Sequence, residues 1–272
     1  MRATKAKTSG ARAAVDVGSD AAPIAAAPDA IGEPSRPFTL AIDIGGTRIK
    51  GSVLSADGVL AATPKHIATP NPATPDQVLK VITSMASSMP RFGRISAGFP
   101  GVVKRGHVVT APNLGTPHWQ GVDLATELSK TFNVPARVLN DAAVQGLGVV
   151  QGPGLECVLT LGTGVGCAVY RARRLVLPLE LGQHRRQGKK IYDAYLGNAA
   201  LQAKGSDRWN KRLAKTIDEV MSLINCDVLY LGGGNARKIA LQLPDNVKVV
   251  SNIAGITGGL RLWDEDMEEH FL

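Results

Sequence analysis

The sequence predicts an α/β fold of two domains, each built on a mixed β-sheet flanked by helices, with a cleft between them. Three observations carry that reading. A short apolar run at residues 38–44 ends at Gly45-Gly46 and leads into a second β-rich run. The same order of strand, glycine turn and strand returns at residues 157–161, at Gly162-Thr-Gly-Val-Gly166 and at residues 167–170. Around these two hairpins, strand-like and helix-like segments alternate, as they do when a sheet is covered by helices.

Each element follows from its local pattern. Residues 38–44 are too few for a helix and continuously apolar, so they read as a buried strand. Residues 48–55 form a second strand, Asp57-Gly58 a type I′ turn and residues 59–67 a third strand, giving an antiparallel meander. Beyond the proline-rich residues 69–75, Val78, Leu79, Ile82 and Met85 recur at helical spacing and place an amphipathic helix over 76–88. A strand is expected at 94–98, a short one at 108–110, a helix at 123–132, and a strand at 136–139 that ends at Asn140-Asp141. After the second hairpin come helices at 191–203 and 208–224. A strand at 228–231 then runs into Gly232-Gly-Gly234 and a short helix up to 242. A strand at 247–250 and a closing helix from 252 complete the chain. The expected domains are 37–141, completed by the closing segment at about 252–272, and 142–251.

A chain of 272 residues, 44 % hydrophobic, fills two modest cores without covalent staples. Cys157, Cys167 and Cys226 sit in apolar surroundings with no C-x-x-C pair, which argues against a disulfide framework and a structural zinc site and for a reducing compartment. No run approaches the roughly 18 apolar residues of a spanning helix, and no secretory h-region is visible, so a cytoplasmic protein without a membrane partner is expected. Residues 1–36 contain eleven alanines and no aromatic residue, too little apolar surface to offset chain entropy, and are expected to be a disordered tail. The net charge is +8 despite an acidic run at Asp264, Glu265, Asp266, Glu268 and Glu269, so anionic partners are favoured. The densest basic run (Arg171, Arg173, Arg174, Arg185, Arg186, Lys189, Lys190) reads either as a solvated face or as a rim for a polyanion. No aromatic residues interleave with it for base stacking, which argues against nucleic acid.

The chemistry-bearing residues gather at the strand ends. Asp43, Gly45, Gly46, Thr47 and Lys50 combine a carboxylate, amides free of side chains, a hydroxyl and a cation, a set suited to phosphate oxygens. No Walker A loop exists. Gly162, Thr163 and Gly164 belong to a G-x-G-x-G turn that enters a strand, which excludes a dinucleotide fingerprint, whose glycines open a helix. Two such turns facing each other clamp one oligophosphate, and that pairing is the actin-like arrangement. Asn140-Asp141 lies at a strand-to-helix junction, where either residue serves as an N-cap or a carboxylate accepts the proton of an attacking hydroxyl. Gly98-Phe-Pro100-Gly101, Asn113, Glu180, Gln183 and His184 read either as ordinary turns and surface groups or as the lining of a polar sugar pocket.

Together these segments resemble the ROK family of bacterial sugar kinases and repressors, most closely its polyphosphate glucokinase branch. The resemblance runs from about Leu40 to Leu260. It rests on Asp43-Ile-Gly-Gly-Thr-Arg-Ile-Lys-Gly51, Thr69-Pro-Asn-Pro-Ala-Thr-Pro75, Gly98-Phe-Pro-Gly-Val-Val103, Leu139-Asn-Asp141, Thr160-Leu-Gly-Thr-Gly-Val-Gly166, Leu231-Gly-Gly-Gly234 and Asn252-Ile-Ala-Gly-Ile-Thr-Gly258. It implies an actin-like ATPase (ribonuclease H-like) fold, a homodimer, and a hexose as phosphoryl acceptor with ATP or inorganic polyphosphate as donor. It further implies Asp141 as catalytic base, and Asn113, Asn140 and Glu180 on the sugar. The turns at Gly45 and Gly162 would hold phosphates, with Gly233 and Gly234 beside the donor and Mg2+ near Asp43. One departure stands out: where the family has histidine directly after Glu-x-Gly, this chain has Gln183, with His184 one residue later and Arg185-Arg186 beyond it. Two alternatives follow, an ATP-dependent kinase for another sugar and a non-catalytic sugar-binding protein. No helix-turn-helix pattern precedes Leu40, so a repressor role is not expected.

Overall fold

The structure, a computed structural model, describes residues 37–187, 190–251 and 253–271. The expected tail at 1–36 lies outside the described residues. In chain order the first half comprises β1 (Thr39–Ile44), β2 (Arg48–Leu54), β3 (Lys65–Ala68), α1 (Pro75–Ala86), β4 (Arg94–Phe99), a small hairpin of β5 (Val103–Lys104) and β6 (His107–Val108), α2 (Thr116–Trp119), α3 (Leu124–Phe132) and β7 (Ala136–Asn140). The second half comprises α4 (Asp141–Leu147), β8 (Leu155–Leu161), β9 (Val165–Arg171), β10 (Arg174–Leu179), β11 (Arg185–Gln187), β12 (Lys190–Ile191), α5 (Tyr192–Leu196), α6 (Asn198–Lys204), α7 (Ser206–Ile224), β13 (Val228–Gly232), β14 (Val247–Val249) and α8 (Ala254–Thr257).

Two five-stranded sheets repeat one topology. The first has the order β3-β2-β1-β4-β7 and the second β10-β9-β8-β13-β14. In each, three antiparallel strands form a meander and two parallel strands follow on the other side. The duplication expected from the two glycine hairpins is therefore present, and the arrangement is the actin-like ATPase (ribonuclease H-like) fold. The first core joins Ile42, Ile44, Ile82, Phe99, Trp119 and Leu128, with Phe99 and Trp119 ring centroids 4.8 Å apart. Thr74 caps α1 through Gln77 N and Pro75 starts it, so the apolar stripe of the sequence becomes the face buried on this sheet.

The second core gathers α5, α6 and α7 around Leu159, Leu196, Leu213 and Trp209. Trp209 is fully buried and its indole N–H donates to Leu196 O at 2.7 Å. Trp209→Ala removes both the packing and that bond, and is expected to cost about 3–5 kcal/mol of stability in urea unfolding.

Several expectations shift. The strand expected at 59–67 is confined to β3, because Pro64 offers no ladder N–H, and Leu60 makes only an isolated bridge to Leu54. The turn before it is not type I′. Gly58 N donates to Ser55 O and only Gly58 has positive φ (81°). The helix expected over 191–203 breaks into α5 and α6 at Gly197, whose backbone is extended (φ −62°, ψ 169°). The closing helix is one turn, α8, followed by 3-10 turns at Gly258–Trp263 and Glu265–His270. Strand β10 has no counterpart in the sequence reading. Its type I′-like turn uses Ala172 (φ 51°) and Arg173 (φ 66°) where Asn and Gly would have announced it.

Helix α4 links the two sheets, packing on β4 and β7 of one and on β8, β9 and β10 of the other. The 3-10 turn after α8 returns to the first sheet. Ser96 Oγ donates to Gly259 O at 2.6 Å, and Trp263 Nε1 donates to Ser96 Oγ at 2.8 Å. Among the described residues no helix is long and apolar enough to cross a membrane.

Candidate active site

The site forms where β1, β4 and β7 end side by side. Asp43 near the end of β1 stands opposite Lys50 of β2 on one side and Gly98 of β4 on the other. Lys50 Nζ donates to Asp43 Oδ2 at 2.8 Å, and both side chains are only about one-fifth exposed, at 21 % and 19 %. Gly98 has no side chain to project, which lets the first turn of α4 approach: a Cβ at this position would lie 3.2 Å from Asp141 Cα. Pro100, in the same turn, is buried.

The junction expected at Asn140-Asp141 divides the labour between two side chains. Asn140 is the N-cap. Its Oδ1 accepts Ala143 N at 3.1 Å, while Nδ2 donates to Gly101 O at 3.2 Å and to Glu180 Oε1 at 3.4 Å. Capping by Asn140 frees Asp141, the first residue of α4, whose Oδ1 accepts only the following amide, Ala142 N, at 2.8 Å among the described residues. Burial pushes the Asp141 carboxyl up to about 8, with the charge of Asp43 adding to the rise and Glu180 contributing less; the Ala142 amide and Lys50 oppose it. Glu180 also lies above the usual carboxylate range, through burial and then through Asp193.

The two glycine turns meet each other at their threonines. Thr47 Oγ1 and Thr163 Oγ1 are 3.0 Å apart. Gly45 N donates to Arg48 O at 3.0 Å, and Gly46 sits against Asn113 and Thr163. Gly162 O accepts Asn198 N at 2.9 Å and Asn235 Nδ2 at 3.1 Å, so the start of α6 and the turn after β13 fix its position. Gly233 has φ 86° and lies so close to Leu161 that a Cβ would come 2.5 Å from its carbonyl oxygen. Beyond it Gly234, like Gly162, faces open space.

The arrangement has known counterparts. The family model described as ROK family matches residues 39–177. The polyphosphate glucokinase of Mycobacterium leprae (strain TN) is 31 % identical over 246 residues, covering 85 % of this chain and 76 % of that protein. The chain belongs to the ROK family. Its fold superimposes on the crystal structure of an inorganic polyphosphate/ATP-glucomannokinase from Arthrobacter sp. strain KM, with a TM-score of 0.75 and 28 % identity, over 87 % of this chain and 100 % of the other. A ROK family glucokinase from Streptomyces griseus, in complex with glucose and AMPPNP, shares the fold with a TM-score of 0.67 and 18 % identity, over 83 % of this chain and 98 % of the other.

Not every nominated ROK residue joins the cluster. Gln183 and His184 are both exposed, and the Gln183 amide donates to Asp193 Oδ2 at 2.7 Å. The basic rim is not one surface. Arg171 ends β9, six residues and therefore roughly 20 Å from the glycine turn that opens the strand. Arg186 is not a free cation, since its guanidinium forms a two-pronged pair with Glu219, stacks on Tyr195 at 4.0 Å and leaves the side chain 6 % exposed. Arg185 is exposed, and Lys189 lies outside the described residues. The sequence reading missed Asn235, Asn198 and Asp193. The first two fix the second glycine turn, and only the position of Asn235, directly after Gly232-Gly-Gly234, hinted at it.

A magnesium ion fits this donor set in one way. Among the described residues no three His, Cys, Asp or Glu side chains are grouped to ligate a metal by themselves. Mg2+ is commonly held by one or two carboxylates together with substrate phosphates, and Asp43 beside the glycine turns suits that mode.

Proposed function

We propose that the chain is a sugar kinase that transfers a phosphoryl group from inorganic polyphosphate, ATP or both to a hexose hydroxyl, with glucose the favoured acceptor. The single observation that carries the reading is the Asp141 carboxyl, freed by the Asn140 cap, raised to about 8, and set beside Gly98 within reach of the charges of Asp43, Glu180 and Lys50. A carboxylate of that basicity accepts the proton of the attacking hydroxyl as the oxygen closes on phosphorus. Asn140, Glu180 and Asn113 hold the neighbouring hydroxyls, and Gly98-Phe-Pro100-Gly101 walls the pocket. The amides of Gly46 and Gly164, the hydroxyls of Thr47 and Thr163, and Lys50 hold phosphate oxygens; Gly45 N and Gly162 N donate to Arg48 O and Gly164 O and so shape the two turns, with Gly233 and Gly234 along the donor. Asp43 would hold Mg2+, which when bound neutralises charge on the phosphates.

The relatives support this donor and acceptor class. The decisive measurement is a panel of hexoses with Mg2+ and either ATP or polyphosphate, in which glucose with at least one donor is expected to turn over. No phosphorylation of any hexose by either donor, with a sugar still raising the melting temperature, would replace the kinase by a binding protein. A second reading is favoured by the Gln183–Asp193 hydrogen bond, which engages the Gln183 side-chain amide with the protein. It is an ATP-dependent kinase for another hexose, and the same panel separates the two.

The raised carboxyl also sets a pH profile. Asp141 works only when deprotonated, so kcat/KM is expected to rise about tenfold per pH unit below its pKa and to level off above about 8. A profile already flat from pH 5 would remove Asp141 as the base.

A further inference from the structure

Asp193, in the first turn of α5, belongs to none of the motifs above, yet its carboxylate touches both halves of the site. Oδ1 accepts the amide of Val165 at 2.7 Å, inside the second glycine turn, and Oδ2 accepts Gln183 Nε2 at 2.7 Å. The backbone leaves it room at both places. A Cβ on Gly164 would come 2.6 Å from Oδ1, and one on Gly182 would overlap the same oxygen. The Asp193 carbonyl accepts Gly197 N at 2.8 Å, and the next residue, Asn198, donates to Gly162 O at 2.9 Å, so the turn is gripped from two directions. On the other side, Gln183 N bonds back to Glu180 O at 3.0 Å, Glu180 meets Asn140 Nδ2, and Asn140 caps the helix that begins with Asp141.

We infer that Asp193 is a positioning residue that ties the donor turn at Gly162–Gly166 to the acceptor-side turn at Glu180–Gln183. The inference rests on the kinase reading for what the two turns bind, and on hydrogen bonds alone for the tie itself. A carboxylate suits the task because its two oxygens each accept one of two N–H groups that arrive from different turns. Removing it leaves a half-buried backbone amide and a side-chain amide without partners and lets the turns move independently. Asp193 also stands near Glu180, where its charge opposes ionisation of that carboxyl.

The test compares Asp193→Ala with Asp193→Asn in the full-length chain. Asparagine can rescue the tie, its Oδ1 accepting Val165 N and its Nδ2 donating to a rotated Gln183 amide. Steady-state kinetics are read for both substrates, and amide hydrogen exchange is followed at Val165 and at residues 181–184 without ligand. For Asp193→Ala we expect KM to rise about tenfold for sugar and donor alike, and exchange to quicken about tenfold in both segments, with Asp193→Asn within about threefold of the parent. Unchanged exchange, loosening of only one segment, or an asparagine variant as impaired as the alanine one overturns the proposal. If Asp193→Ala fails to fold, Gln183→Ala decides. Gln183 does not touch Val165, so faster exchange at Val165 supports the tie and unchanged exchange refutes it. Should the parent phosphorylate no hexose, the kinase reading falls while the exchange data still judge Asp193.

Discussion

Asp141→Asn is expected to lower kcat by about 10²- to 10⁴-fold while leaving the sugar able to raise the melting temperature. Asparagine keeps the shape of the side chain and its position at the start of α4, and the cap supplied by Asn140 is untouched. What disappears is the proton acceptor. The same variant carries a stability signature of the raised carboxyl, separate from its role in the reaction. The folded carboxyl, at about 8, holds its proton more tightly than the unfolded one at 3.8. Its contribution to stability is thus complete below pH 4 and is lost as the pH rises through 8. Asparagine never ionises. The melting temperature of Asp141→Asn should therefore exceed that of the parent increasingly from pH 5 to pH 9, with the difference vanishing in acid. A variant that keeps kcat would remove Asp141 from the mechanism, and one less stable than the parent at pH 9 would show that the carboxyl is not raised.

What was legible in the sequence is what local pattern controls. The two glycine turns, the meander around the first, the helix stripe of Val78, Ile82 and Met85, and the end of β7 at Asn140-Asp141 all rest on neighbours within a few residues. What was illegible depends on partners far along the chain or on turns without their usual residues. Arg186 looked like a free cation because nothing in its own segment reveals Glu219, 33 residues on. Arg171 read as part of one basic rim, but a strand carries residues that are near in sequence apart in space, and it ends β9 at the far end from the glycine turn. The acidic run at the end had no evident purpose until the fold placed it. Glu268 pairs with Arg137 of β7, Asp266 with Arg174 of β10, and Asp264 with Arg261, so the run reaches from the first sheet to the edge of the second. Exposed pairs of this kind contribute little individually. Arg137 contributes more, since it also stacks on Trp263 at 4.5 Å and Phe271 at 4.8 Å and donates to Leu262 O at 2.7 Å.

The resemblance block ending at Gly258 contains a residue whose purpose only the packing reveals, and it yields the second large effect. Helices α4 and α8 meet backbone to backbone. A Cβ on Gly258 would overlap Val144 O, and one on Gly148 would come 2.6 Å from Ala254 O. Neither obstacle is the far end of a flexible side chain, so relief requires the helices to separate. That separation bears directly on the site, because α4 begins with Asp141 and α8 carries Gly255, whose Cβ position is 3.3 Å from Asp43 Oδ2. Gly258→Ala is therefore expected to cost about 3 kcal/mol or more in urea unfolding, at the upper end for overpacking, and to lower kcat/KM for both substrates together. Gly162→Ala is the contrasting case. Its added methyl meets nothing within 4 Å and its backbone needs no left-handed conformation, so stability should change by less than about 0.5 kcal/mol. The methyl would instead occupy space in front of the donor turn and raise the donor KM with the sugar KM unchanged. If Gly258→Ala folds as stably as the parent, the α4–α8 contact does not set the distance between the two carboxylates. If Gly162→Ala leaves the donor KM unchanged, the second glycine turn does not cradle phosphate.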